Sequence, residues 1–252
     1  MTQDDTSQPT RSELLGHILS KSSEMSRDEP IIAQNIFEQL KHMGLSTWSL
    51  SVIRRVRDGI HKISPSHILE VGGGIGHRSA WLMDLFTNER LPERYDIIEQ
   101  GNKFAVILHR LSTRYEAADW CNIVVGELPQ LYSETVAWNK VNITNNPDAE
   151  PPLAEKYQTI IIDATLENIA EYTDLGLRLL DENGFLFTTE PLVPSGEVDE
   201  NDTKKQAEVD GFNRWIDLIK NANDEYHIGQ NSLATKEESN TQKLWGTDSS
   251  GN

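Results

Sequence analysis

The chain has 252 residues, enough for one α/β domain with its own core and short appendages. Its 23 basic against 40 acidic side chains give a net charge of -17 and a pI near 4.8, a surface that repels phosphate backbones and excludes nucleic acid and anionic membranes as expected partners. With a mean hydropathy of -0.52, no run near the ~20 apolar residues of a spanning helix, no secretory pattern at the start and one cysteine, Cys121, unable to build a disulfide framework or a cysteine metal cluster, a cytoplasmic protein is expected.

Residues 1–28 are polar and predict a flexible arm. Residues 29–64 predict a helical cap. Ile32, Ile36, Leu40 and Met43 recur at helical spacing between Pro30 and Gly44, and Leu50, Ile53, Val56 and Ile60 mark a second helix with Arg54, Arg55 and Arg57 on its exposed face. From residue 65 to 234 strands and helices alternate. Strands are expected at 68–71, 96–99, 122–125, 159–163 and 185–189, and helices at 79–86, 104–115 and 169–180, with a further one marked by Phe212, Trp215, Ile216 and Ile219. Residues 139–156 read as a polar surface insertion and 235–252 as a polar tail. The alternation predicts βαβ crossovers and a mainly parallel sheet with helices on both faces.

Two features carry chemistry. Gly72-Gly73-Gly74-Ile75-Gly76 turns a strand into a helix, where absent side chains let backbone approach a ligand. The spacing is neither the dinucleotide fingerprint nor a P-loop. Glu99 ends the next strand, where a carboxylate can accept hydrogen bonds from both hydroxyls of a ribose. Together they point to a nucleoside ligand.

Glu70-Val71-Gly72-Gly73-Gly74-Ile75-Gly76, then Glu99, then Gly126-Glu127 resemble the successive motifs of class I S-adenosylmethionine (SAM)-dependent methyltransferases. Ser79-Ala80-Trp81-Leu82, Ile161-Ile162-Asp163-Ala164, Asn183-Gly184-Phe185-Leu186 and Ser195-Gly196 bring the resemblance to the catechol O-methyltransferase-like group. It implies a Rossmann-like, mainly parallel seven-stranded sheet and methyl transfer from SAM to a small-molecule acceptor, more often on oxygen. A homodimer joined through an N-terminal helix face is implied too. In this resemblance Gly72, Gly74 and Gly76 underlie the methionine part of the cofactor, Glu70 orients the turn or meets the amino group, and Glu99 holds the ribose. Gly126, Glu127, Asp163 and Thr165 complete the cofactor side.

The sequence departs from that group in three places. The family's metal site has an Asp at Asp163 and an Asp-Asn pair at the end of strand five, which here is Thr189-Glu190. Its catalytic lysine is Leu166 here, and a common serine after the glycine turn is Arg78, facing the methionine carboxylate or solvent. Metal-independent transfer is therefore expected, with one hard cation on Asp163 and Glu190 as the alternative. His77 and Asp163 are the catalytic candidates, and His42, Met43 and Trp48 lie on the acceptor side. Two other readings stand beside this one: an aminopropyltransferase, which needs a β-rich N-terminal domain, and a noncatalytic binding module.

Overall fold

The computed structural model describes residues 13, 16, 18, 20, 24–141, 150–196, 202–226, 229–237 and 240–248. The cap is two helices, α1 (Ile31–Met43) and α2 (Leu50–Ile63). Gly44 closes α1 at φ 65, where its N–H reaches the Leu40 and Lys41 carbonyls. Ser49 opens α2, its hydroxyl accepting from the Val52 N–H. These helices remove the β-rich domain that the aminopropyltransferase reading requires.

Five parallel strands follow: β1 (His67–Val71), β2 (Arg94–Glu99), β3 (Cys121–Val125), β4 (Tyr157–Ile162) and β5 (Leu180–Thr189). Between them run α3 (His77–Asn88), α4 (Asn102–Arg114), α5 (Leu128–Lys140) and α6 (Ile169–Leu179). A long helix, α7 (Thr203–Tyr226), leads to β6 (Gly229–Glu237) and β7 (Asn240–Asp248). The seven strands lie in the order β3-β2-β1-β4-β5-β7-β6, with β7 antiparallel to both neighbours.

Alternation along the strands feeds two cores. Ile68, Ile97 and Ile161 point to the face covered by the cap, α3 and α4, while Leu69, Val71, Ile98, Ile160 and Ile162 point to the face covered by α5, α6 and α7. Strands sandwiched this way must be apolar on both sides, which is why they read as continuous aliphatic runs. Each buried aliphatic side chain contributes about 1.5–3 kcal/mol over its exposed state. The chain leaves β1 in one direction to build β2 and β3 and returns on the other side for β4. The connections after β1 and β4 therefore run to opposite faces and leave a crevice beyond the carboxyl ends of the strands, where an open α/β sheet takes its ligand.

Several expectations change. The C-terminal segment read as a polar tail supplies the end of β6 and all of β7, whose ladder to β5 pairs Phe185 with Asp248 through Thr189 with Leu244. Much of the N-terminal arm lies outside the described residues, but Ile18 is buried in the core, and Arg27 bonds Asp58 at 2.7 Å. Arg55 and Arg57 are buried rather than exposed. Arg57 reaches the Ser26 carbonyl at 2.7 Å and stacks over Trp81, so the polar faces of the arm and α2 cover each other. Of the expected insertion, 142–149 lie outside the described residues, while Leu153 is fully buried.

Candidate functional site

The glycine turn and Glu99 are in direct contact. The Gly74 N–H donates to Glu99 Oε2 at 2.7 Å, and the Gly101 N–H donates to Oε1 at 2.8 Å. Gly72 and Gly73 N–H groups both reach the Ile98 carbonyl, which sews the turn onto the end of β2. Gly72 has φ 83, and a Cβ there would lie 2.1 Å from the Asp163 carbonyl oxygen, so β1 and β4 approach as closely as backbone allows. Gly74 has φ 55 and faces open space, while the bare side of Gly76 packs on Leu108 and Leu111 of α4, away from the crevice.

A cleft opens along these strand ends. Val71, Gly72, Ile98 and Glu99 form its back, and Asp163, Ala164 and Thr165 one side. Gly126 and Leu128 form the other side, with Gln100, Asn168 and Tyr172 at the remaining edge. The Gln100 side-chain amide donates to the Tyr172 hydroxyl at 2.6 Å, linking the end of β2 to α6. Burial and then the charge of Glu127 raise the Tyr172 phenol above its ordinary pKa. Glu127 itself is exposed at the start of α5 and does not line the cleft. Gln100, Asn168 and Tyr172 were not foreseen. Gln100 follows Glu99 at a strand end, and Asn168 and Tyr172 lie four apart on one helical face, so both signals were present in the spacing.

Arg78 is the unexpected centre of the site. Although it stands in the first turn of α3, it is 3% exposed and faces neither solvent nor open cleft. Its Nε donates to Glu70 Oε1 at 3.0 Å, its Nη1 to Asp163 Oδ2 at 2.8 Å and its Nη2 to the Gly72 carbonyl at 2.8 Å. The Trp48 ring covers the guanidinium at 4.5 Å. Burial alone would lower the guanidinium pKa, but Glu70 and Asp163 outweigh it and hold the group above its ordinary value. Glu70 is fully buried, and its oxygens also accept from the Ser79 and Tyr95 hydroxyls. It therefore reaches the turn through Arg78 and does not line the cleft. The Asp163 side chain is 36% exposed and does line it.

His77 is not a wall of the cleft. Its ring is buried against the cap, stacked on Phe37 at 5.2 Å. Its Nε2 lies 2.8 Å from Glu29 and its Nδ1 3.5 Å from the Thr47 hydroxyl. A carboxylate only accepts, so the ring donates from Nε2 to Glu29, while Nδ1 lies at the edge of hydrogen-bond reach of Thr47. Both ring nitrogens thus face the cap, and His77, expected as the general base, does not line the cleft. His42 and Met43 are exposed at the end of α1, and Trp48 is packed on Arg78.

A divalent cation on Asp163 does not suit the residues present. One carboxylate oxygen is held by Arg78, the strand-five pair is Thr189-Glu190, and no group of three metal-ligating side chains converges among the described residues. Like unit charges 4 Å apart repel by about 4 kcal/mol at an effective dielectric of 20, and a divalent ion beside a guanidinium by about twice that. Among the described residues no helix is long and apolar enough to cross a membrane.

No protein-family model matches the chain, and no curated protein matches it in sequence. Solved structures do match its fold. TomG, an O-methyltransferase from Streptomyces achromogenes involved in tomaymycin synthesis and crystallised with SAM, superposes with a TM-score of 0.66 at 18% identity, over 89% of this chain and 92% of that one. An O-methyltransferase from Bacillus cereus in complex with SAH gives 0.64 at 18% identity, over 88% and 92%. The SAH-bound methyltransferase PaMTH1 of Podospora anserina gives 0.62 at 14% identity, over 94% of each chain. The chain has the Rossmann-like fold of these methyltransferases.

Proposed function

We propose that this chain is a SAM-dependent methyltransferase that acts on an oxygen of a small-molecule acceptor without a divalent cation. The observation that carries the reading is the junction of Gly74, Gly101 and Glu99 at the switch point of the sheet. Two backbone amides fix the carboxylate, and each oxygen keeps a lone pair for a ribose hydroxyl. Gly74 opens onto empty space, where a Cβ would intrude on a ligand. An acidic cleft on a chain of charge -17 also suits a cofactor with a net positive charge.

In this reading Glu99 receives the ribose. Gly126, Leu128, Gln100 and Tyr172 flank the adenine, and Gly72 and Gly74 border the methionine end. Thr165 sits at the rim, and Glu127 acts on the adenine side only through its charge near Tyr172. When bound, SAM supplies a sulfonium methyl group for in-line transfer to the acceptor oxygen. The protein contributes alignment and exclusion of water, effects large enough to carry such a transfer. Asp163 is the group we assign to the acceptor side, because its Oδ2 is fixed by Arg78 while its Oδ1 makes no bond to another described residue.

Calorimetric titration with SAM, S-adenosylhomocysteine and decarboxylated SAM tests the reading. Micromolar binding of the first two supports it. Preference for the decarboxylated compound would favour an aminopropyltransferase, and binding of none would leave a noncatalytic module.

A further inference from the structure

Arg78 breaks a local rule. A cation in the first turn of a helix faces the positive end of the helix dipole, and a guanidinium at 3% exposure has lost its hydration. Buried ion pairs are weak stabilisers at best, so their retention at a ligand site calls for a task. The task is visible in the partners. One planar fork ties the end of β1 through Glu70, the glycine turn through the Gly72 carbonyl and the end of β4 through Asp163, with Trp48 of the cap closing its face. We propose that Arg78 is a resident positive charge that fixes Asp163 and the glycine turn and makes cofactor binding at this site independent of a divalent cation. The inference rests on the methyltransferase reading above and deepens it.

The argument turns on charge and shape together. Glu70 and Asp163 are two carboxylates within reach of one guanidinium, and replacing it by a short neutral side chain would leave both facing a hollow without a counter-charge. A small cation would then be drawn in. A lysine keeps the charge but has no fork, so it satisfies one carboxylate and not the pair.

The test is calorimetric titration of the full chain with S-adenosylhomocysteine, in chelator and again in millimolar Mg2+ or Mn2+. The unaltered protein should bind equally in both, within about twofold. Arg78→Ser should bind about tenfold more weakly in chelator and recover about threefold or more on adding the cation. Arg78→Lys should also bind more weakly, by about threefold to tenfold, without responding to cation. Loss of affinity on chelating the unaltered protein, or ordinary affinity in Arg78→Ser, overturns the inference and leaves the methyltransferase reading intact. If Arg78→Ser loses its cooperative melt, Arg78→Lys decides: unchanged affinity, or rescue by Mg2+, overturns it. Failure of the unaltered protein to bind under either condition overturns both readings together.

Discussion

Gly74 and Glu99 lie 25 positions apart in sequence and 2.7 Å apart in space, joined by a backbone N–H donating to a carboxylate oxygen. Gly101 holds the second oxygen. An anion is thereby fixed at the mouth of the sheet by oriented peptide dipoles alone. Glu99→Gln keeps the shape but turns an N–H toward one of these donors. It should cost about 1.5–3 kcal/mol of S-adenosylhomocysteine binding, roughly ten- to more than a hundredfold in Kd, with an unchanged circular dichroism spectrum. Ordinary affinity would remove Glu99 from the site.

Gly72→Ala attacks the contact between β1 and β4. The position has φ 83, and the added methyl would meet the Asp163 carbonyl at 2.1 Å. Left-handed backbone costs about 1–2 kcal/mol and overpacking about 1–3 more, so urea denaturation should show a loss of about 2–5 kcal/mol. A variant as stable as the parent would mean that the two strand ends do not approach this closely.

Glu70→Gln leaves Arg78 buried with Asp163 as its one remaining carboxylate. Breaking a buried pair from one side costs about 3–5 kcal/mol, and chemical denaturation should report it. Glu70 does not line the cleft, so the loss belongs to stability first.

His77 sets a dependence on acid. Burial, opposed by Glu29 and assisted by the charge of Arg78, holds its imidazole below the ordinary value of 6.5. The unfolded chain then takes up a proton before the folded one does. The contribution is complete above about pH 6.5 and is lost as pH falls toward the folded value, with a slope of at most about 1.4 kcal/mol per pH unit for one proton. Thermal melts of the parent and of His77→Gln between pH 7.5 and roughly pH 5 isolate the effect. The parent should lose stability more steeply than the variant, and parallel curves would refute the assignment.

Cys121 should be inert. Burial, offset in part by a hydrogen bond to Ser112, pushes its thiol up to about 12. The thiolate is the reactive form. A thiol reagent at pH 8 should leave the native protein unlabelled and label it fully in denaturant.

The sheet and the heart of the site were legible because they rest on local signals. Apolar runs such as Ile160-Ile161-Ile162 have one stable place in an α/β protein, and a glycine turn between strand and helix has few. What escaped was set by long-range partners. Arg57 and Arg78 look like solvent-facing cations in sequence, and partners distant along the chain, the Ser26 carbonyl for Arg57 and Asp163 for Arg78, help to make their burial tolerable. His77 sits beside the glycine turn in sequence but turns toward Glu29 in space. Helix α5 buries little more than Leu128, Leu131 and Thr135, too thin a stripe to read. Strand β7 is polar enough to pass for a tail because its place is given by the ladder to β5, not by an apolar face visible in sequence.

The bare approach of Gly72 to Asp163 has a consequence for how molecules come and go. The Asp163 N–H is itself held by the Val71 carbonyl at 3.0 Å, so the ladder between the two central strands continues up to the floor of the cleft. At the edge of the cleft, by contrast, Gln100 and Tyr172 are joined through their side chains, by a hydrogen bond of 2.6 Å. Side-chain rotation is faster than collective strand motion, so this edge can open at these two side chains without a hinge in the body of the protein.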